Sequence, residues 1–193
     1  LYDFASIEEW LLANSHLFPH GKKEVEILIK QLERGVVPKT TSCGRILDAV
    51  SAILGICYER TYEGEPAMKL ESAAIGRRDV LNLQPELEGN IINTTFMVEE
   101  VFRQRDKHPI GDIAYSAQSY IARSLAQLAI EKAERLNLKA IGFSGGVAYN
   151  EQITLAIKQM VEENGFTFAT HHMVPSGDGG TSFGQAIAAS FQA

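Results

Sequence analysis

The chain has 193 residues, 45% of them hydrophobic and 22% charged, which suits one domain or one large lobe and excludes disorder as its organising state. Eighteen Lys and Arg against 24 Asp and Glu leave a net charge of −6, which argues against a general nucleic-acid binder, because neutralising phosphates needs a basic surplus. No run approaches the ~18 apolar residues of a membrane span.

Ser6 and Glu9 have capping-box spacing ahead of Trp10, Leu11 and Leu12, so a short first helix is expected. Residues 23–34 place Val25, Leu28 and Leu32 on one helical face, with Gly35 as the stop. A third helix is expected after Thr41-Ser42 and up to Gly55, burying Ile46, Leu47, Val50, Ile53 and Leu54. Cys43 and Cys57 would both lie on it, ~20 Å apart and too far for a disulfide, so reduced thiols in a cytoplasm are expected. A fourth helix opens at Pro66 and covers residues 68–74. Residues 77–93 carry no clear pattern. Asn93 is placed to cap a helix through Val98 and Val101, and a long helix is expected over 113–136, with Ala114, Ala117, Ile121, Leu125, Leu128 and Ala129 inward.

The last third alternates. Residues 140–143 form a short buried strand, 150–164 a helix, 167–172 a second strand and 181–189 a closing helix. That order predicts a parallel α/β layer, whose right-handed crossover puts both strands' C-terminal ends on one edge. Ligands of open α/β sheets bind at that edge. Residues 1–110 are thus expected to be mostly helical and 111–193 to be the α/β part of a single lobe.

Two glycine-rich turns fall on the edge. Ser144-Gly145-Gly146-Val147-Ala148-Tyr149-Asn150 follows a strand and precedes a helix, where glycines let backbone N–H groups approach an anion and the helix N-terminus favours it. A tight connection with Asn150 as an ordinary N-cap would look the same. In Pro175-Ser176-Gly177-Asp178-Gly179-Gly180, three glycines surround one carboxylate that could coordinate a nucleotide-bound metal or simply cap the last helix. A third cluster joins Gly44-Arg45-Ile46-Leu47-Asp48 to Tyr62-Glu63-Gly64-Glu65-Pro66. There Asp48 either faces a cleft or pairs with Arg45, three residues away.

These clusters, in this order, resemble the hydrogenase maturation carbamoyltransferases. The resemblance is carried by Thr41 through Gly55, Tyr62 through Ala67, Phe143 through Asn150, and Pro175 through Ala186. It spans most of Thr41 to Ala189, while residues 1–40 and 77–110 are only loosely similar. It implies a helix-rich α/β chain, the second lobe of an actin-like ATPase (ribonuclease H-like) fold. The implied chemistry is transfer of carbamoyl from a carbamoyl-adenylate, formed with ATP, to a cysteine of a hydrogenase maturation partner protein. Residue by residue, Gly145, Gly146, Gly179 and Asn150 would contact the nucleotide, and Asp48 and Gly64 would line its ribose or base side. Glu71 is a ribose candidate, and Asp178 would be this lobe's ligand to a divalent metal.

The family's histidine pair for that metal has no counterpart here, nor do its acylphosphatase-like, zinc-binding and adenylate-forming modules. With no initiator methionine, the sequence is expected to be a fragment that lacks the complete reaction alone. Adjacent His171 and His172 would face opposite sides of a strand, one core and one surface. Cys43, Trp10 and the tyrosines read as packing residues. Two other readings stay open: a tRNA threonylcarbamoyl transferase lobe, and a non-catalytic lobe that binds a partner according to its nucleotide.

Overall fold

The computed structural model describes residues 4–35 and 37–191, which divide into two units, within residues 1–42 and within 43–193. In the first unit, α1 (Phe4–Ala13) is helical from the first described residue, so Ser6 lies inside the helix rather than capping it. Asn14 ends α1 by donating its amide to the Trp10 carbonyl, 2.8 Å away. After a 3-10 turn, α2 (Gly21–Glu33) buries Val25 and Ile29, one turn apart. Leu32, expected on the same face, is 44% exposed. The buried stripe therefore follows i, i+4 from Val25 and ends before the last turn.

The second unit is built around one long helix. Its helices are α3 (Cys43–Ile53), α4 (Glu65–Ala74), α5 (Thr94–Gln104), α6 (Ile110–Arg135), α7 (Glu151–Glu163) and α8 (Thr181–Ser190). Its strands are β1 (Leu87–Glu88), β2 (Ile91–Ile92), β3 (Ala140–Gly142) and β4 (Thr167–Ala169). α6 packs against α4, α5 and α7. The small residues Ala114, Ala117, Ala122 and Ala126, all buried, let those helices come close. Leu47, Leu70, Met97, Ile113, Ile153 and Val161 fill the space between them, each contributing about 1.5–3 kcal/mol by leaving water. Asn93 caps α5 as expected, accepting the Phe96 N–H at 3.1 Å. α8 buries none of its residues.

Two expectations need correction here. α3 stops at Ile53, so Cys57 lies beyond it, buried in the following loop with its thiol donating to the Glu59 carbonyl at 3.0 Å; both cysteines are free. Residues 77–93, patternless in sequence, contain the antiparallel pair β1–β2. One face of α6 pins this segment. Ser116 Oγ accepts the Val80 and Leu81 N–H groups, the Tyr120 hydroxyl accepts from Glu86 N–H and donates to Asn93 O, and Arg123 donates to Leu83 O.

β3 and β4 pair in parallel, Ala140 with Thr167, Ile141 with Phe168 and Gly142 with Ala169. The Thr167 N–H to Lys139 O and Phe143 N–H to Ala169 O bonds, both 2.9 Å, extend the ladder. β4 ends at Ala169, short of the histidines. Alternation of faces therefore does not reach His171 and His172, and both are exposed, contrary to the expected core and surface pair.

Candidate functional site

Because β3 and β4 run parallel, the turns that follow them emerge side by side. Their backbones are joined. Gly145 N–H donates to Ser176 O at 2.8 Å, and Gly177 N–H donates to the Tyr149 hydroxyl at 3.2 Å. Ser144 Oγ lies 2.9 Å from His171 Nε2 and 3.2 Å from Ser176 O, linking the ends of both strands. Tyr149, read from sequence as packing, is 60% exposed and bridges the two turns instead.

The glycines have different reasons for being glycine. Gly145 has φ of 105°, a left-handed conformation that side chains resist. A Cβ on Gly180 would stand 2.3 Å from Pro175 O, and on Gly179 3.3 Å from the Pro175 ring. Gly146 meets neither condition: its φ is not left-handed, and nothing lies within 4 Å of where its Cβ would be. No backbone acceptor among the described residues takes its N–H. This part of the turn is open to an incoming group.

Asn150 closes the first turn and opens α7. Its Oδ1 accepts the Ile153 N–H at 2.9 Å, and its Nδ2 donates to Gln118 Oε1 at 2.7 Å, with only 6% of the residue exposed. Glu71, on α4, accepts the Glu151 N–H at 2.6 Å. Two of the N–H groups left unpaired at the start of any helix are thus satisfied by Asn150 and Glu71. Beside them lies a groove of about 360 Å³ walled by Met68, Glu71, Ile75, Tyr115, Glu151 and Leu155. The structure therefore brings Gly145, Gly146, Asn150, Glu71, Asp178 and Gly179 to one region of the second unit.

Asp48 and Gly64 take no part in the hydrogen bonds that join the two turns. α3 packs against the 146–149 turn, yet the half-buried Asp48 carboxylate pairs with Arg45 at 3.7 Å. Gly64 precedes α4 with φ of 79°, about 10 Å along the chain axis from Glu71 at 1.5 Å per residue. Next to it is a feature that the sequence reading missed. Glu65 is buried, bound by Lys69 at 2.7 Å and by the Thr61 N–H and hydroxyl. The Lys69 ammonium, then the Thr61 N–H, hold its carboxyl well below the usual range, at about 2. A Glu four residues before a Lys is a readable pair signal. Gln118 was missed too, though a lone amide among the inward positions of α6 marks a buried polar contact. Burial pushes the half-buried Cys43 thiol up to about 11, leaving it protonated at neutral pH and a poor nucleophile.

Asp178 is exposed and opens a 3-10 turn, Asp178–Gly180. Among the described residues, no group of three His, Cys, Asp or Glu side chains could hold a metal ion. Asp178 therefore has no second and third ligand beside it among the described residues. No described helix is long and apolar enough to cross a membrane.

Comparison with known proteins places this geometry. Residues 2–185 match the family model described as carbamoyltransferase, Kae1-like domain, second subdomain, reaching into residues 2–40 where the sequence resemblance was loose. A probable carbamoyltransferase HypF from Methanocaldococcus jannaschii is 42% identical over 173 residues, 87% of this chain and 22% of that protein. The crystal structure of T. kodakarensis HypF superposes with a TM-score of 0.80 at 40% identity, covering 88% of this chain and 22% of that one. Full-length HypF in its phosphate- and nucleotide-bound form gives a TM-score of 0.78 at 23% identity, covering 93% of this chain and 25% of that one. The chain thus spans about a fifth of the length of these relatives, and the expected helix-rich α/β lobe of actin-like type is the fold it has. The chain belongs to the HypF carbamoyltransferase family, as the second subdomain of its Kae1-like domain.

Proposed function

We propose that residues 1–193 serve as the nucleotide-holding lobe of a larger cytoplasmic enzyme that transfers carbamoyl from a carbamoyl-adenylate to a cysteine of a hydrogenase maturation partner. The observation that carries the reading is the open backbone at Gly146, held between two turns whose other glycines serve the turns themselves. Phosphate oxygens would approach the Gly145–Gly146 turn and the Asp178–Gly180 turn, where backbone dipoles are fixed in advance and need no reorganisation. The nucleoside would extend toward the groove, whose apolar walls suit a base and whose Glu71 carboxylate suits ribose hydroxyls. Asp48 and Gly64 would bound its far side.

In the transfer step the partner's thiolate attacks the carbamoyl carbon, a C–S bond forms, and the bond to the adenylate oxygen breaks, releasing AMP. The nucleophile comes from the partner, so no residue of this chain is assigned that role. This lobe contributes position and charge stabilisation. A divalent cation would take Asp178 as one ligand, its remaining ligands lying outside the described residues. The net charge of −6 disfavours tRNA as the acceptor.

The test is calorimetric titration of the enzyme with ATP and ADP, with and without divalent metal, alongside Asp48→Ala, Asn150→Ala and Asp178→Ala. Weakened binding in the first two and lost carbamoyl transfer in the third, with the fold intact, are expected. Full transfer activity in Asp178→Ala would refute its role. Nucleotide-dependent partner binding without any transfer would replace the enzyme reading with that of an interaction lobe.

A further inference from the structure

Gln118 sits in the middle of α6 with 0% exposure, between the buried Ala114, Ala117 and Ile121. An amide left unpaired there is destabilising, whereas an apolar side chain of similar size carries no such risk. Its partners show what the amide is for. Gln118 Nε2 faces two carbonyl oxygens, Ala114 O at 3.0 Å and Leu70 O at 3.4 Å. Carbonyls only accept, so this end of the amide must be the nitrogen, and Oε1 must face Asn150. The Asn150 atom 2.7 Å from it is then the donor Nδ2, and Oδ1 is left to take the Ile153 N–H. Reversing the Asn150 amide would set oxygen against oxygen and N–H against N–H.

Capping α7 needs only a side-chain oxygen, which Ser or Asp supplies about equally well. The Asn150 nitrogen therefore has another purpose, and its partner is Gln118. Through that bond the last residue of the first glycine turn is tied to the centre of α6. Through Leu70 O the same amide reaches α4, where the next residue, Glu71, takes the Glu151 N–H. Three helices are locked together at the point where the turn becomes α7.

We propose that Gln118 is a positioning residue for the nucleotide site, fixing the orientation of the Asn150 amide and the start of α7 beneath the Gly145–Gly146 turn. The inference rests on the nucleotide reading above.

The experiment compares ATP affinity and thermal stability of the complete enzyme with those of Gln118→Met, Gln118→Glu, Asn150→Ala and the Gln118→Met/Asn150→Ala double variant. Gln118→Met keeps the volume and removes the acceptor. It is expected to raise the Kd for ATP about tenfold, the size of one lost hydrogen bond, and to add nothing further in the Asn150→Ala background. Gln118→Glu, held protonated by its burial so that its O–H takes over the donation to the Ala114 and Leu70 carbonyls, keeps an acceptor oxygen for Asn150 Nδ2 and is expected to stay nearer wild type, which keeps the idea testable should the Met variant fail to fold. Lowered melting temperature with unchanged ATP affinity in Gln118→Met would reduce Gln118 to a packing role. Equal losses in the Met and Glu variants, or fully additive losses in the double variant, would likewise overturn the proposal. Wild-type enzyme that binds no ATP would instead remove the nucleotide reading beneath it.

Discussion

Gly146→Ala separates a glycine needed for folding from one needed for a ligand. At Gly145 the two causes are mixed, because its φ of 105° already demands glycine. At Gly146 an added Cβ meets nothing within 4 Å, and the backbone is not left-handed. In the unliganded protein the substitution should be tolerated. By restricting the unfolded chain it should add about 0.4–1 kcal/mol of stability, raising the melting temperature by about 1–4 °C. With nucleotide present the same methyl group would crowd a phosphate oxygen coming to the open Gly146 N–H. A hydrogen bond to a charged group is worth about 1.5–3 kcal/mol, so losing one should weaken ATP binding about 10- to 150-fold. Calorimetric titration gives the Kd, and differential scanning calorimetry gives the stability on the same samples. Unchanged Kd would mean that no ligand approaches Gly146. A melting temperature several degrees lower would mean that the glycine is there for the fold after all.

Gly180→Ala should behave oppositely, because its Cβ would lie 2.3 Å from Pro175 O; urea unfolding should show about 1–3 kcal/mol of lost stability, and an unaltered midpoint would count against the packed turn. Glu65 supplies a pH signature. Its folded pKa of about 2 lies below the ordinary 4.5, so its stabilisation is full above pH 4.5 and is lost as the pH falls through about 2. Glu65→Gln should therefore flatten the stability profile between pH 4.5 and 2, and parallel wild-type and variant profiles would sink the ion-pair reading. Cys43, with its thiol raised to about 11, should react with a disulfide reagent at pH 7.5 more slowly than an exposed model thiol; reaction at the model rate would contradict its burial.

Local chemistry made much of this fold readable. Asn93 and Asn150 announce helix starts because a short amide side chain can cap its own backbone, and both do so. The strand–turn–helix order around Gly145–Gly146 implies the parallel pair that β3 and β4 form. Four ordered motifs pointed to the family that matches residues 2–185. What stayed hidden depends on partners distant in sequence. The β1–β2 segment has little pattern of its own because Ser116, Tyr120 and Arg123 of α6 hold its backbone from some 30 to 40 positions away. A strand over 167–172 would put His171 and His172 on opposite faces, but β4 ends three residues earlier, at Ala169. At the site, the glycines were visible in sequence, but their separate reasons were not. The clash at Gly180 and the open space at Gly146 depend on where Pro175 and the second turn come to rest.

Amide hydrogen exchange of the enzyme with and without ATP tests most directly whether the two joined turns hold the nucleotide. Slowed exchange confined to residues 144–150 and 176–180, together with the α4 segment around Glu71, is the expected result. Saturating ATP that protects other segments while leaving both turns exchanging as before would contradict it.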